Sequence, residues 1–166
     1  QLRDVIARIA RAETQIVSLT VTEKGYCANV GQREPLWGHP DIANDMAHAD
    51  SPVSVLGVLV AGLHERYRKR GAPLTVLCCD NLPENGAVLE ALVHRFAERM
   101  HPQMLPWLRE SVRFPSSMVD RIVPGYPQEE AAALAEQLGY EDRLLTTGEI
   151  FHIWVIDGGA EIAREL

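Results

Sequence analysis

The sequence predicts an α/β fold with a parallel sheet, and three observations support this class. Apolar and polar residues alternate over 15–22, which is typical of a strand, and a helical pattern follows from residue 52. A continuous apolar run at 74–79 then has the length of a strand that is covered on both faces. Two strands joined by a helical crossover pair in parallel, as a right-handed βαβ unit.

The N-terminal half is predicted to alternate between helices and strands. Residues 2–12 carry apolar side chains at helical spacing and precede the first strand. A long polar connection follows that strand, and within it only 41–47 is suited to a short helical turn. Ser51 and Pro52 predict the N-cap and the first residue of the crossover helix. Gly71 is predicted to be its left-handed C-cap.

The C-terminal half is predicted to contain two more helices and further extended segments. A stripe of apolar residues predicts a helix at 87–100. Residues 101–110 are expected to be irregular, and 112–127 to be extended, because prolines interrupt both segments. A helix is expected at 128–138, where a glycine follows it, and a strand at 150–156.

The composition indicates one core and argues against two classes of partner. At 166 residues with 46% hydrophobic content, the chain can bury a single core. A net charge of −7, with only two lysines, leaves no basic stripe for a phosphate backbone, so no nucleic-acid partner is expected. No apolar run reaches the roughly 18–20 residues of a bilayer span, and no signal-peptide pattern is present. We therefore expect a cytoplasmic protein with no membrane contact.

Cysteines and histidines show no ligand spacing that indicates a metal. Cys27, Cys78 and Cys79 are expected to be reduced, because an odd number cannot pair and adjacent cysteines are poorly placed for a disulfide. The six histidines form neither an H-E-x-x-H motif nor another tight ligand set. No metal site is predicted.

Polar residues end the buried strand abruptly, at Asp80 and Asn81. Ligands of open α/β sheets bind beyond the carboxyl ends of the strands, so these residues are candidates for a binding site. A purely local explanation is equally consistent with the residue types. In that case Asp80 accepts hydrogen bonds from loop amides, and Asn81 or Asn85 caps the next helix.

Several separated motifs resemble one enzyme family. They are SLTVTEKGY, HPDI, TVLCCDNLPENG and VRFPSSMVDRIVP, and they occur in the order found in the polyol-specific long-chain dehydrogenases. That family includes mannitol 2-dehydrogenase, arabinitol dehydrogenase and fructuronate reductase, also called mannonate oxidoreductase. The resemblance covers essentially the whole chain. It implies a Rossmann-like sheet and a metal-independent, NAD-dependent oxidoreductase that interconverts a polyol or aldonate with the corresponding ketose or ketouronate.

The resemblance also implies roles for individual residues. Asn81, in the C-D-N motif, is the catalytic residue expected to donate to a substrate oxygen as its negative charge grows. Asp120, in the V-D-R motif, is expected to accept from a substrate hydroxyl, although a structural salt bridge with Arg121 is equally consistent with the sequence. Thr22 and Glu23 are expected beside the cofactor crevice, with Glu23 in proton exchange with solvent.

Two features of the family pattern are not found in this sequence. No G-x-G-x-x-G motif occurs, and Lys24 and Asn29 reproduce the first two positions of the family's K-x-x-x-x-N-x-x-H motif while Gln32 replaces its histidine. We therefore expect the middle of a longer enzyme. Residues 1–110 would be the second half of its dinucleotide-binding domain, and 111–166 a connecting segment with added strands and a helix, leading to a helical substrate domain.

This assignment has consequences for the chain by itself. It is expected to be inactive alone and to expose a sheet edge through which copies could associate. A non-catalytic α/β binding or interaction module is the alternative function. The sequence does not distinguish NAD from NADP, nor one polyol or sugar acid from another.

Overall fold

The computed structural model describes residues 2–120, 127–146, 148, 150 and 153–158. The chain forms two compact units, residues 1–118 with 155–166 and residues 119–154. Its helices are α1 (Leu2–Ile9), α2 (Pro40–Ala47), α3 (Val55–Arg68), α4 (Asn85–Met100), α5 (Leu105–Ser111) and α6 (Gln128–Leu138), with 3₁₀ turns at Glu23–Tyr26 and Pro102–Met104. The strands are β1 (Ile16–Leu19), β2 (Ala28–Asn29), β3 (Glu34–Pro35), β4 (Leu74–Cys78), β5 (Val112–Arg113), β6 (Ser117–Asp120) and β7 (Ile153–Ile156).

The first unit is built on a parallel sheet in the order β1-β4-β5. Ile16 lies opposite Thr75 and Leu19 opposite Cys78, while Val112 pairs with the start of β4. Every residue of β4 is buried, as expected for a central strand with both faces covered. The predicted α/β class and the βαβ unit are confirmed. Small two-stranded sheets are formed by β2 with β3 and by β6 with β7.

The outer edge of β1 has no strand partner among the described residues. Leu2, Val5 and Val53 line a groove beside it and are 47%, 44% and 53% exposed. An unpaired edge flanked by exposed apolar side chains is a recognised route to association between chains. The self-association expected from the sequence stays a prediction.

The crossover helix begins later than the sequence predicts. Its N-cap is Ser54, whose hydroxyl accepts from the Gly57 amide at 2.9 Å, so the assignment of Ser51 and Pro52 to the helix start is wrong. The reason is a contact that is distant in sequence. The buried carboxylate of Asp45 accepts from the Ser54 amide at 2.9 Å and from its hydroxyl at 2.5 Å, which fixes Ser54 as the cap.

The end of this helix also differs from the prediction. Arg70 has the left-handed conformation, with φ of 52°, and Gly71 does not, so Gly71 is not the left-handed cap. The glycine has another purpose, because a Cβ atom at position 71 would collide with Cγ of Arg66. The chain therefore needs a glycine there for space.

Two segments are more helical than the sequence predicts. The predicted turn at 41–47 is part of α2, which starts with Pro40 after a His39 side chain that accepts from the Asp41 amide at 3.3 Å. Residues 101–110 were predicted to be irregular, but they contain a 3₁₀ turn and most of α5. The prolines that suggested irregularity lie in first turns, where a missing N–H is tolerated.

The second unit contains α6, which has the predicted bounds, and Gly139 caps it with φ of 79°. The predicted strand at 150–156 is shorter, at Ile153–Ile156, and residues 151 and 152 lie outside the described residues. The division of the chain at residue 110 into parts of a larger enzyme stays a prediction. Within the described ranges, no helix combines the length and apolar character needed to cross a bilayer.

A fully buried arginine, Arg66, donates hydrogen bonds to the segments that precede β1 and β4. The Arg66 side chain is 0% exposed, and burial lowers the pKa of its guanidinium. Among the described residues no carboxylate pairs with it, but each of its five N–H donors can be matched to a backbone carbonyl. The accepting carbonyls are those of Ala72 (2.8 Å), Ile9 (2.9 Å), Arg11 (2.5 Å), Thr14 (2.9 Å) and Pro73 (3.1 Å).

Candidate functional site

Two adjoining clefts lie at the carboxyl end of the parallel sheet, within the first unit. The first encloses about 430 Å³ and is lined by residues 20–23 after β1 and 79–82 after β4. The second encloses about 380 Å³ and is lined by residues 80–84, 116–118, Val155 and Asp157. Residues 80–82 form a shared wall. The structure therefore places Thr22, Glu23 and Asn81 around the first cleft, and their predicted roles stay predictions.

Asp80 is a structural acid rather than a free one. It is 8% exposed, and both of its carboxylate oxygens accept hydrogen bonds. Oδ1 accepts from the Leu82 amide at 3.1 Å, whereas Oδ2 accepts from the Tyr26 hydroxyl at 2.5 Å and from the Cys78 thiol at 2.7 Å. The local explanation is thus correct for Asp80. Its effect is to fix the turn on which Asn81 stands.

Tyr26 and Cys78 complete this buried cluster, with 2.7 Å between the hydroxyl oxygen and Sγ. Burial, followed by the hydrogen bond to Asp80, raises the pKa of the Cys78 thiol to about 12. Burial and the same carboxylate raise the pKa of the Tyr26 hydroxyl above its usual value. Both groups are neutral near pH 7, so Cys78 is not a thiolate nucleophile.

The Cys78 pKa predicts a loss of stability in alkali. Below pH 9.0, the ordinary pKa of a cysteine thiol, the Cys78 thiol is protonated in the folded and unfolded states alike, and its contribution to stability is complete. Above it only the unfolded thiol ionises, so the free energy of unfolding falls by up to about 1.4 kcal/mol per pH unit as the pH rises toward 12. Urea titrations between pH 8 and pH 10.5 measure this slope. Cys78→Ala should make the slope shallower, and the part that remains near pH 10 comes from the raised pKa of Tyr26. An identical slope in both proteins would contradict the assignment.

Asn81 is exposed at the shared wall of the two clefts. Within the part of the chain that the structure describes, no hydrogen bond engages its side-chain amide. The cap of α4 is Glu84, in a left-handed conformation with φ of 51° and no side-chain cap bond, so the predicted alternative of helix capping by Asn81 is wrong. Its two amide hydrogens are available to a ligand.

Asn85 has a structural role that the sequence did not reveal. It is 1% exposed, and it does not cap α4. Its Oδ1 accepts from the Ser117 amide at 2.9 Å, and its Nδ2 donates to the carbonyls of Ser117 (2.8 Å), Asp80 (3.0 Å) and Cys78 (3.3 Å). The side chain thereby joins the end of β4 to the start of β6 and holds both walls of the second cleft.

Close backbone packing supports the same wall. A Cβ atom at Gly86 would lie 2.5 Å from the Pro115 carbonyl oxygen, so a larger residue would push the helix away from this segment. The Gly86 amide also donates to the Ser116 hydroxyl at 3.2 Å. The partners of Gly86 in this wall are thus about thirty residues away in sequence.

The structure gives less information about the other residues that the sequence singled out. Asp120 ends β6, but its side chain, like Arg121, lies outside the described residues, and its role stays a prediction. Lys24 lies in a 3₁₀ turn and Asn29 in β2, so the two residues of the partly matched motif lie on different elements. Glu23 is exposed at the rim of the first cleft.

The sequence is similar to two kinds of curated oxidoreductase. Mannitol 2-dehydrogenase of Phaeosphaeria nodorum is 41% identical over 153 residues, which cover 92% of this chain and 27% of the relative. D-mannonate oxidoreductase of Escherichia coli K12 is 40% identical over 153 residues, which cover 92% of this chain and 32% of that protein. The chain thus spans about a third of the length of the curated relatives that it matches.

Two solved structures share the fold. The crystal structure of D-sorbitol dehydrogenase in substrate-free form has a TM-score of 0.79 and 32% identity, over 94% of this chain and 32% of that one. Pseudomonas fluorescens mannitol 2-dehydrogenase, in a ternary complex with NAD and D-mannitol, has a TM-score of 0.77 and 36% identity, with the same coverage. The Rossmann-like fold that the resemblance implied is confirmed.

The family match extends over the whole chain. Residues 1–166 match the family described as the mannitol dehydrogenase Rossmann domain. The resemblance recognised from the motifs is therefore confirmed, and this chain belongs to the mannitol dehydrogenase family.

Proposed function

We propose that this chain is part of an NAD-dependent oxidoreductase that interconverts a polyol or aldonate with the corresponding ketose or ketouronate. The observation that carries the proposal is the position of Asn81. In a chain of the mannitol dehydrogenase family, its amide is exposed between two clefts at the carboxyl end of a parallel sheet. That end of the sheet is where α/β enzymes bind dinucleotides and their substrates.

The first cleft suits the nicotinamide end of NAD. It is bounded by strand ends on two sides, and the Thr22 hydroxyl and Asn81 amide add hydrogen-bonding groups. NAD, when bound, supplies the hydride acceptor for the alcohol and the donor for the reverse reaction. The 166 residues contain no G-x-G-x-x-G turn, so we propose that other sequence of the full-length enzyme holds the pyrophosphate. The choice between NAD and NADP depends on the residues that bind the ribose, which we also propose to lie in that other sequence.

Asn81 stabilises the charge that develops on the substrate oxygen. An amide N–H donates a hydrogen bond without giving up its proton, so its contribution grows as the oxygen becomes negative. Preorganisation is essential to this effect. Here it comes from Asp80, whose bonds to the Leu82 amide and to Tyr26 fix both ends of the turn.

Glu23 and Asp120 have supporting roles in this proposal. Glu23, at the exposed rim of the first cleft, exchanges protons between the site and solvent. Asp120 accepts a hydrogen bond from a hydroxyl of the substrate. The general base is a lysine outside these 166 residues, because Lys24 lies in a 3₁₀ turn and Lys69 caps the end of α3. The proposed compartment is the cytoplasm.

The test is turnover by the full-length gene product. We expect NAD reduction with at least one of mannitol, arabinitol and mannonate, and NADH oxidation with the matching ketose or ketouronate. The 166-residue chain assayed alone is the control and is expected to be inactive. A full-length product that turns over none of these pairs, or that is only 166 residues long, would favour the alternative of a non-catalytic α/β binding module.

A further inference from the structure

Three side chains with metal-binding atoms converge at the base of the β2–β3 hairpin. Cys27 immediately precedes β2, while His39 and Asp41 stand at the start of α2. The Cys27 sulfur, a His39 ring nitrogen and an Asp41 carboxylate oxygen all lie within 4.8 Å of one another. None of the three lines either of the clefts around Asn81. The sequence predicted no metal site, because the hairpin separates Cys27 from the other two residues.

The backbone holds these residues in place. The Leu36 amide donates to the Cys27 carbonyl at 2.9 Å, and the His39 amide donates to the Leu36 carbonyl at 2.7 Å. Cys27 itself is left-handed, with φ of 50°, a conformation that a non-glycine residue adopts only when its surroundings enforce it. His39 and Asp41 share one helix start. The cluster is therefore anchored on both sides of the hairpin.

The ligand atoms can also reach tetrahedral geometry. Zinc bonds of about 2.0–2.3 Å place neighbouring ligand atoms about 3.3–3.6 Å apart, so ligand atoms that lie within 4.8 Å of one another must approach by at most about 1.5 Å. The His39 and Asp41 side chains are 37% and 52% exposed and can rotate, and His39 Nδ1 is already 3.9 Å from Asp41 Oδ2. Within the described part of the chain, the one hydrogen-bonding contact of the Cys27 sulfur is a weak one of 4.0 Å with the Gly25 carbonyl.

We propose that Cys27, His39 and Asp41 bind a Zn²⁺ ion, with water as the fourth ligand. Thiolate, imidazole and carboxylate are the ligand types that zinc takes in proteins, and a site with three protein ligands keeps one position open. The thiol proton passes to solvent as the sulfur binds the metal. The ion ties the hairpin to the start of α2, and its role is stability rather than hydride transfer.

Cobalt titration of the metal-free chain tests the site. Co²⁺ bound by a thiolate gives a charge-transfer absorption band, so we expect this band to saturate at one equivalent and to disappear when Zn²⁺ is added. Zn²⁺ should also raise the melting temperature. Cys27→Ser should abolish the band. Cys79→Ser, which removes a half-buried thiol outside the cluster, should retain it.

His39→Asn provides a variant whose fold is protected. Asparagine is a good N-cap, so α2 keeps its cap while a metal ligand is lost, and Co²⁺ affinity should fall at least tenfold. Circular dichroism confirms that each variant is folded. Absence of the band in the parent chain, its persistence in Cys27→Ser, or unchanged affinity in His39→Asn would overturn the proposal. Because the cluster lies outside the clefts, none of these results depends on the proposed oxidoreductase activity.

Discussion

Substitution of Asn81 by aspartate is expected to lower kcat of the full-length enzyme about 100-fold or more, with little change in stability. The change removes the amide donor and places a negative charge beside the oxygen that becomes negative in the transition state. Because the Asn81 side chain has no hydrogen bond within the described residues, the fold loses no internal contact. Steady-state kinetics, with thermal melts of the same samples, measure both effects.

Asn29→Asp is the matched control for this prediction. Asn29 is exposed, and its side-chain oxygen accepts from the Gln32 amide at 3.1 Å, a bond that aspartate also makes. The same chemical change and the same added charge should therefore leave kcat within about twofold of the parent, since the site is outside both clefts. A folded Asn81→Asp enzyme that works at the parental rate would make Asn81 an ordinary residue at a strand end.

Replacing Arg66 with methionine is expected to lower the free energy of unfolding by at least about 3 kcal/mol. Methionine approximates the length of the aliphatic stem but donates no hydrogen bonds. The five carbonyls that accept from Arg66 then lose this donor, and the Ile9 carbonyl loses it at a buried position. Urea unfolding of the parent and the variant gives the difference.

Arg68→Met is the control, because this neighbouring arginine has a 67% exposed side chain that forms an ion pair with Glu65 at 3.5 Å. Exposed pairs of this kind contribute little, so the expected loss is below about 1 kcal/mol. Equal losses at the two positions would show that burial of the Arg66 guanidinium has no special importance.

Local sequence patterns predict those parts of the fold that depend on the burial of apolar side chains and on the backbone preferences of single residues. The apolar run at 74–79 marked the central strand because both of its faces are covered, and the glycine after α6 marked the end of that helix. The helix start at Ser54 was missed because Asp45, nine positions away, selects that serine over Ser51. The preference for proline at the first position of a helix favoured Ser51 as the N-cap, and this residue was wrong.

The position of the candidate site could be predicted from the sequence, but the hydrogen bonds within it could not. Asp80 and Asn81 were identified because polar residues follow a buried strand, and the family motifs pointed to the same place. Asp80 is structural and Asn81 is exposed because the hydroxyl of Tyr26, in the 3₁₀ turn after β1, donates a hydrogen bond to Asp80 and not to Asn81. Asn85 likewise depends on Ser117, on a separate strand. Such pairings are set by tertiary structure, and no local pattern carries them.

The central claim is that the Asn81 amide acts on the oxygen that changes charge during hydride transfer. The most direct test is the primary isotope effect on kcat, measured for Asn81→Asp with NADH deuterated at the transferred position. If the substitution raises the barrier to hydride transfer itself, that step limits the rate, and the slow variant should show an isotope effect clearly above one and at least as large as that of the parent. A variant that is slowed 100-fold but shows no isotope effect would contradict the claim.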